Sequence, residues 1–275
     1  MEMEEDKIDI TGLEEALNTR SLGREILFFE QLDSTNTQAK RLIKEETEEK
    51  ARHGLLILAE EQTSGRGRLG RDWSSPKRGG IWMSFILNPK LPAESCPMLT
   101  LVAAVAVNEA IRRVSGLDSF IKWPNDIVIN GKKVCGILTE ATGLLSEGPN
   151  IILGIGINAN RKDFPGELGL SATSLSLEGG KDMNRSLLIA EICNSLEKYY
   201  EEFTEQGDLT GLKAEYEQYL INRGKQVRVL AKDGEYTGTA LGINGQGGLL
   251  VETKEKEITT VVSGEVSVRG IFGYV

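Results

Sequence analysis

The sequence predicts an α+β protein in two unequal parts, strands and helices up to residue 222 and an all-β unit after it. Three observations predict this. Apolar runs of strand length, "LLILAE", "GGIWMSFIL" and "NIILGIGINAN", are separated by loops and helical patterns. "PMLTLVAAVAVNEAIRRVSG" is apolar at helical length. From Arg223 onward the texture shifts to short alternating runs punctuated by glycine turns.

The elements follow in order. Residues 1–22 are polar and read as an N-terminal extension with one short helical piece at "GLEEALNT". A helix-turn-helix DNA-binding module would need roughly twice that length. "EILFFEQL" is a strand, and Ser34, Thr35 or Asn36 can cap the charged helix that follows. "LLILAE" leads into the loop "SGRGRLGRDW", and "GGIWMSFIL" is the next strand. The apolar helix opens at a proline and closes at Gly116. "SFIKW" and "DIVINGKKVCGILTEA" bracket a proline turn, and Asn130-Gly131 is a type I′ hairpin signal. Helices near "NRSLLIAEICNSLEKYYEEF" and "LTGLKAEYEQYLIN" complete the part spanning 23–222. In the part spanning 223–275, Asp233-Gly234 and Asn244-Gly245 mark turns of a small barrel or sandwich without clustered chemical groups.

Composition narrows the chemistry. A formal charge of −9 argues against a dedicated nucleic-acid surface, which needs a basic face. Cys96, Cys135 and Cys193 are scattered, so neither a disulfide framework nor a zinc site is expected. The acidic N-terminus is not a signal peptide, and no apolar run approaches a membrane span; the reading is cytoplasmic. The single histidine, His53, reads as a solvated loop residue, so a His-centred triad has no basis. Chemistry must run on lysine, arginine and carboxylates, with Mg²⁺ loosely held at most.

Gly65, Gly67 and Gly70 have dinucleotide-fingerprint spacing, yet "RDWSSPKRGG" follows where that fingerprint requires a helix. The positive reading is an anion loop. Glycines allow close approach of main-chain N–H groups, and Arg66, Arg68 and Arg71 supply forked donors to a carboxylate or phosphate. Three such charges repel one another when the site is empty, so the loop should order on ligand binding. Lys122, Asp126 and Lys133 surround the stiff Trp-Pro-Asn turn of "FIKWPNDIVINGKKVCGIL". "LDSTN" puts small hydrogen-bonding side chains at a helix start, and "GIGIN" ends a strand at Asn158. Lys122 and Lys132 read as solvated strand-end charges and Trp82 as core or pocket wall. Gly154 and Gly156 read equally well as packing glycines or as part of a crevice.

"GRGRLGRDW", "KWPND", "GKKVCGIL" and "LDSTN" together resemble the biotin protein ligases, over roughly residues 22–275. The resemblance is to the ligase-only class, without an N-terminal helix-turn-helix. It implies a mixed sheet with helices packed on it, of class II synthetase-like type, and an SH3-like C-terminal domain. It implies a biotin–[acetyl-CoA-carboxylase] ligase that makes biotinyl-5′-AMP from biotin and Mg-ATP. The biotin then passes to one lysine of an apo biotin carboxyl carrier domain of acetyl-CoA carboxylase or pyruvate carboxylase type.

By matching motif, Ser34, Thr35, Asn36 and Gln62 would satisfy the ureido ring. Arg66, Gly67 and Arg68 would line the biotin tail and the α-phosphate, and Lys133 would reach the shared oxygen. Arg71, Trp73, Asn125 and Asn158 would hold the nucleotide. Asp126 would orient Lys133, hold Mg²⁺ or assist the incoming lysine. No metal site of the protein's own is expected. Similar proteins dimerise through sheet edges; DNA and membranes are not expected partners. The competing readings are a lipoate or octanoate ligase, which shares the catalytic fold, and a non-catalytic biotin sensor or transcriptional regulator.

Overall fold

Strands that are apolar on both faces need cover on both, and the computed structural model shows how each face obtains it. It describes residues 7–45, 52–145, 148–231, 234–263, 267–270 and 274–275. The expected turn residue Asp233 and the first six residues lie outside these. The chain begins with α1 (Ile10–Ala16), β1 (Ile26–Phe29), α2 (Thr35–Glu45), β2 (Leu56–Ala59) and β3 (Ile81–Leu87). Then come α3 (Leu99–Ser115), β4 (Phe120–Lys122), β5 (Asp126–Ile129), β6 (Lys132–Leu145) and β7 (Gly148–Ile157). The short α4 (Leu168–Ser171) and α5 (Leu175–Gly179) precede α6 (Arg185–Gln206) and α7 (Lys213–Tyr219). The chain ends in β8 (Gln226–Ala231), β9 (Gly234–Ile243), β10 (Leu249–Glu252), β11 (Ile258–Val261) and β12 (Ser267–Gly270).

The first seven strands form one sheet in the order β1-β2-β3-β7-β6-β5-β4. It is mixed, because β1 and β2 run parallel and the other pairs antiparallel. The other five strands form an antiparallel sheet, β11-β10-β9-β8-β12.

Side chains alternate across a strand, so each strand serves two environments. Met83, Phe85 and Leu87 of β3, with Leu153 and Ile155 of β7, pack into the main core with helices α1, α3 and α6. On the opposite face Ile57, Ile86 and Ile152 meet Ala39 of α2 in a smaller cluster. Further along that second face, β7 carries Gly154 and Gly156, and Gly136 of β6 pairs with Gly156. Glycines there leave a hollow where larger residues would have filled the surface.

Two expectations from sequence change. Ala93–Ser115 is long and apolar enough to cross a membrane by composition, although no such run was anticipated. It is mostly buried inside the protein, as the central helix α3 and its entry turn, which explains its apolar character without a bilayer. The expected N-terminal extension is partly core: Leu13 is fully buried and α1 packs on α6. Glu197 of α6 then accepts the backbone N–H groups of Arg20, Ser21 and Leu22 at 2.6–2.9 Å.

Trp123, fully buried at the end of β4, joins the two sheets. Its indole Nε1 donates to the Gly247 carbonyl (2.9 Å) and its backbone N–H donates to Asn222 Oδ1 (3.0 Å). The Trp123–Pro124 peptide is cis. Trp123→Ala would lose that packing and strand the Gly247 carbonyl. It should lower stability by about 3–5 kcal/mol in urea denaturation, and a loss below about 1 kcal/mol would show that the turn is not anchored this way.

Candidate active site

The hollow on the second face is a narrow pocket, and its walls follow from which residues are small. A Cβ on Gly154 would sit 2.2 Å from Asn36 Oδ1, and one on Gly156 would sit 2.5 Å from Trp73 Nε1. Both glycines therefore serve close approach of polar groups to the sheet, which settles their sequence ambiguity. Ser34, Thr35 and Asn36, at the start of α2, line the pocket with Gln62, Arg66, Gly67 and Arg68. Their hydrogen bonds are mutual. Thr35 N–H and Oγ1 donate to Gln62 Oε1 at 2.9 and 3.2 Å, and Gln62 Nε2 donates to Ser75 Oγ at 2.7 Å. Ser84 Oγ lies 2.7 Å from Thr35 Oγ1 and 2.6 Å from Asn36 Oδ1, while Asn36 Nδ2 donates to Glu140 at 2.8 Å. This network joins six side chains and fixes the rotamers of three that line the pocket, Thr35, Asn36 and Gln62.

The glycine–arginine loop folds back on itself as a tight hairpin. Gly67 N–H donates to Arg71 O (2.7 Å) and Trp73 N–H to Gly65 O (2.9 Å). A side chain on Gly65 would meet Trp73 O at 2.3 Å, so this crossing requires glycine. Leu69 and Gly70 turn the chain with φ of 57° and 70°. No α-helix follows Gly70 before α3, so the dinucleotide fingerprint is excluded by structure as well as by context. Arg68 Nη1 donates to Asn125 Oδ1 (2.9 Å), and Asn125 Nδ2 donates to Ile137 O (3.0 Å). Asn125 thus steadies Arg68.

A second cavity of about 520 Å³ adjoins the pocket. Gly67, Arg68, Trp73, Asn125 and Lys133 line both. Lys133 reaches this shared wall because β6 carries one extra residue: Ile127 pairs with Cys135 but Val128 with Lys133. Val134 and Cys135 are then both buried in the main core, and Lys133 is turned to the other face. Its Nζ lies 2.5 Å from Asp126 Oδ1 and 5.0 Å from the Trp73 ring centroid.

The structure corrects the reading of Lys122. Far from being solvated, it is 5% exposed, on the wall of the larger cavity, 3.9 Å from Asp126 Oδ2. Burial, reinforced by Lys133, Arg269 and Arg68, brings its ammonium down to about 8 against the pull of Asp126. Burial alone would raise the Asp126 carboxyl. Lys133, Lys122 and a hydrogen bond from Tyr274 instead hold it below the ordinary carboxylate value. Arg269 of β12 and Tyr274 also line the larger cavity, although the C-terminal part had shown no clustered groups in sequence. They were missed because nothing local to them signals the site.

Of the other expected residues, Arg71 and Trp73 line the larger cavity. Asn158 is buried at the end of β7 and lines neither cavity; its Nδ2 donates to Thr173 O (3.2 Å), and its Oδ1 is buried without a hydrogen-bond partner among the described residues. Trp82 is fully buried and edge-on to Trp73, which lines the pocket. His53 is exposed and lines neither cavity. Among the described residues no group of three acidic, histidine or cysteine side chains is arranged to hold a metal.

With this geometry established, the chain was compared with known proteins. Residues 28–158 match the model of the biotin/lipoate A/B protein ligase family, and residues 224–269 that of the biotin protein ligase C-terminal domain. The bifunctional ligase/repressor BirA of Bacillus subtilis is 40% identical over 251 residues, covering 90% of this chain and 76% of the relative. The biotin–[acetyl-CoA-carboxylase] ligase of Mycobacterium tuberculosis is 31% identical over 215 residues, covering 76% of this chain and 77% of that one. A solved structure of biotin protein ligase from Aquifex aeolicus, in complex with biotin and ATP, superposes with a TM-score of 0.77. It is 33% identical and covers 90% of this chain and 99% of its own.

Asp126 carries a stability signature. Its folded value is depressed, so its contribution is present above the unfolded carboxylate value and is lost as pH falls through the folded one. Asp126→Asn should cost about 3 kcal/mol at pH 7, at the low end for a buried pair because Lys133 retains some access to water. The gap to wild type should narrow as the pH falls below about 3.9. A gap that is constant with pH would show that the charge is not what matters.

Proposed function

This chain belongs to the biotin/lipoate protein ligase family, and from its site we propose how it acts as an ATP-dependent biotin protein ligase. It activates biotin as biotinyl-5′-AMP and transfers the biotin to a biotin-carrying carboxylase subunit. The observation that carries the assignment of roles is the wall common to two cavities, where Arg68 and Lys133 sit. The narrow pocket takes biotin. Ser34, Thr35, Asn36 and Gln62 offer the donors and acceptors that a ureido ring needs, and Arg66, Gly67 and Arg68 flank the tail. The larger cavity takes ATP: Arg68, Arg71, Lys122 and Arg269 face its phosphates, Trp73 covers the adenylate and Asn125 holds Arg68 in place.

In the first step a biotin carboxylate oxygen attacks the α-phosphorus, and pyrophosphate leaves with the electrons of the broken P–O bond. Two like unit charges about 4 Å apart repel by about 4 kcal/mol at an effective dielectric of 20. Lys133, between the two reactants, offsets that repulsion and meets the charge that grows on the bridging oxygen. In the second step the acceptor amine attacks the acyl carbon, the amide forms and AMP departs. Neither step needs a protein nucleophile.

For Asp126, the ion pair with Lys133 supports the orienting role. A carboxylate held below its ordinary value is a poor acceptor for an ammonium proton. Mg²⁺ enters as part of the Mg-ATP substrate. Asp72, on the wall of the larger cavity, is the carboxylate suited to meet it, since Asp126 is taken up by ammonium groups. The acceptor is of acetyl-CoA carboxylase or pyruvate carboxylase type, and the enzyme acts in the cytoplasm and not on DNA. Its charge of −9 supports the last point.

Purified protein given biotin, Mg-ATP and an apo carrier domain should label one lysine, with biotinyl-AMP bound in the absence of carrier. Folded protein that yields neither, or that is stabilised by lipoate and not by biotin, contradicts the assignment. Lys133→Ala should fold normally yet form adenylate at least about a hundredfold more slowly; near-normal turnover would remove Lys133 from its role. Trypsin should cut the empty loop at Arg66, Arg68 or Arg71, and biotin with ATP should suppress this. Cleavage that is indifferent to ligand would contradict ordering of the loop.

A further inference from the structure

The side chain of Tyr274 lies in the catalytic network, donating its phenol to Asp126 Oδ2 and holding its ring over Lys122 Nζ, 4.2 Å from the ring centroid. We propose that Tyr274 is a positioning residue of the ligase, which fixes the Asp126 carboxylate so that its other oxygen holds Lys133. The proposal rests on the ligase reading given above.

The argument is one of valence and distance. Lys133 Nζ sits 2.5 Å from Oδ1, while Lys122 is 3.9 Å from Oδ2, too far for a hydrogen bond. The hydrogen bond that Oδ2 receives comes from Tyr274. Without it the carboxylate is free to rotate about Cβ–Cγ, and Lys133 loses its fixed seat on the wall shared by the two cavities. Burial, then the Asp126 charge, pushes the phenol well above its usual range, so it stays protonated and keeps donating. The neighbouring backbone is fitted to hold it: Val275 packs against the Asn130–Gly131 turn and against β12. A Cβ on Gly131 would lie 3.2 Å from Val275 Cγ2, and one on Gly270 would lie 2.1 Å from the Val275 carbonyl oxygen. Tyr274 also faces the larger cavity with Lys122 and Arg269, so its ring forms part of the wall beside the phosphates.

The test uses the full chain and the variants Tyr274→Phe, Asp126→Asn and the two combined. Tyr274→Phe keeps the ring over Lys122 and removes only the hydroxyl. Its Tm and its KM for biotin should match wild type, while kcat for biotinyl-AMP formation falls about tenfold, as for other partners that orient a reacting group. If the effect runs through Asp126, the same change made in Asp126→Asn should cost nothing further. A Tyr274→Phe enzyme with wild-type kcat overturns the proposal. So does a penalty of equal size in both backgrounds, or one that disappears when activity is expressed per folded molecule. Should Asp126→Asn not fold, kcat against Tm in Tyr274→Phe still decides. Failure of the wild-type chain to make biotinyl-AMP would refute the ligase reading itself, a result these comparisons keep distinct.

Discussion

Two ammonium groups and a guanidinium stand close together around the buried carboxylate of Asp126. Asp126 touches Lys133, lies near Lys122 and feels Arg68. Like charges held this close in a partly dry environment repel strongly; burial first, and then the neighbouring cations, lower the Lys122 ammonium to about 8. A cluster of this sign favours anions. In the proposed reaction a carboxylate and a triphosphate, which repel each other in water, would both gain by entering it, and their meeting point would be the lysine held between the two cavities.

Several unrelated features of the fold converge on that arrangement. The extra residue at Val134 turns Lys133 away from the core and toward the site. The glycines at 136, 154 and 156 lower the sheet surface so that Lys133, Asn36 and Trp73 can lie against it. In "KWPND" four of the five residues have separate tasks. Lys122 charges the cavity, Trp123 anchors the turn to the second sheet, Asn125 holds Arg68 and Asp126 holds Lys133. The C-terminal sheet contributes Arg269, and Tyr274 follows it, so both parts of the chain build the larger cavity.

Much of this was legible in the sequence. Strand and helix order came from apolar periodicity, and the Asn130-Gly131 hairpin from its turn residues, which indeed take φ of 49° and 76°. The glycine–arginine loop pointed to an anion, because glycines bare main-chain N–H groups and arginines supply forked donors, although a solvated basic turn would read the same locally. What was hidden depends on distance along the chain. Lys122 looks like any strand-end lysine until the fold buries it. Arg269 and Tyr274 carry no local mark and reach the site only through packing of the second sheet on the first. Asn158 is only half explained by packing: the fold ties its Nδ2 to Thr173 and leaves its buried Oδ1 without a hydrogen-bond partner among the described residues. The apolar length of α3 reflects its burial over most of its length, a tertiary fact that a linear scan cannot separate from a membrane signal.

The claim at the centre is that Lys133, held by Asp126, stands between a carboxylate and an α-phosphate. A crystal structure of this protein with biotin and a non-hydrolysable ATP analogue measures it directly. The account predicts Lys133 Nζ within hydrogen-bond distance of both the biotin carboxylate and an α-phosphate oxygen, with Arg68 on the same phosphate. A complex in which both ligands are bound and Lys133 still contacts Asp126 alone, with its Nζ away from both anions, would contradict it.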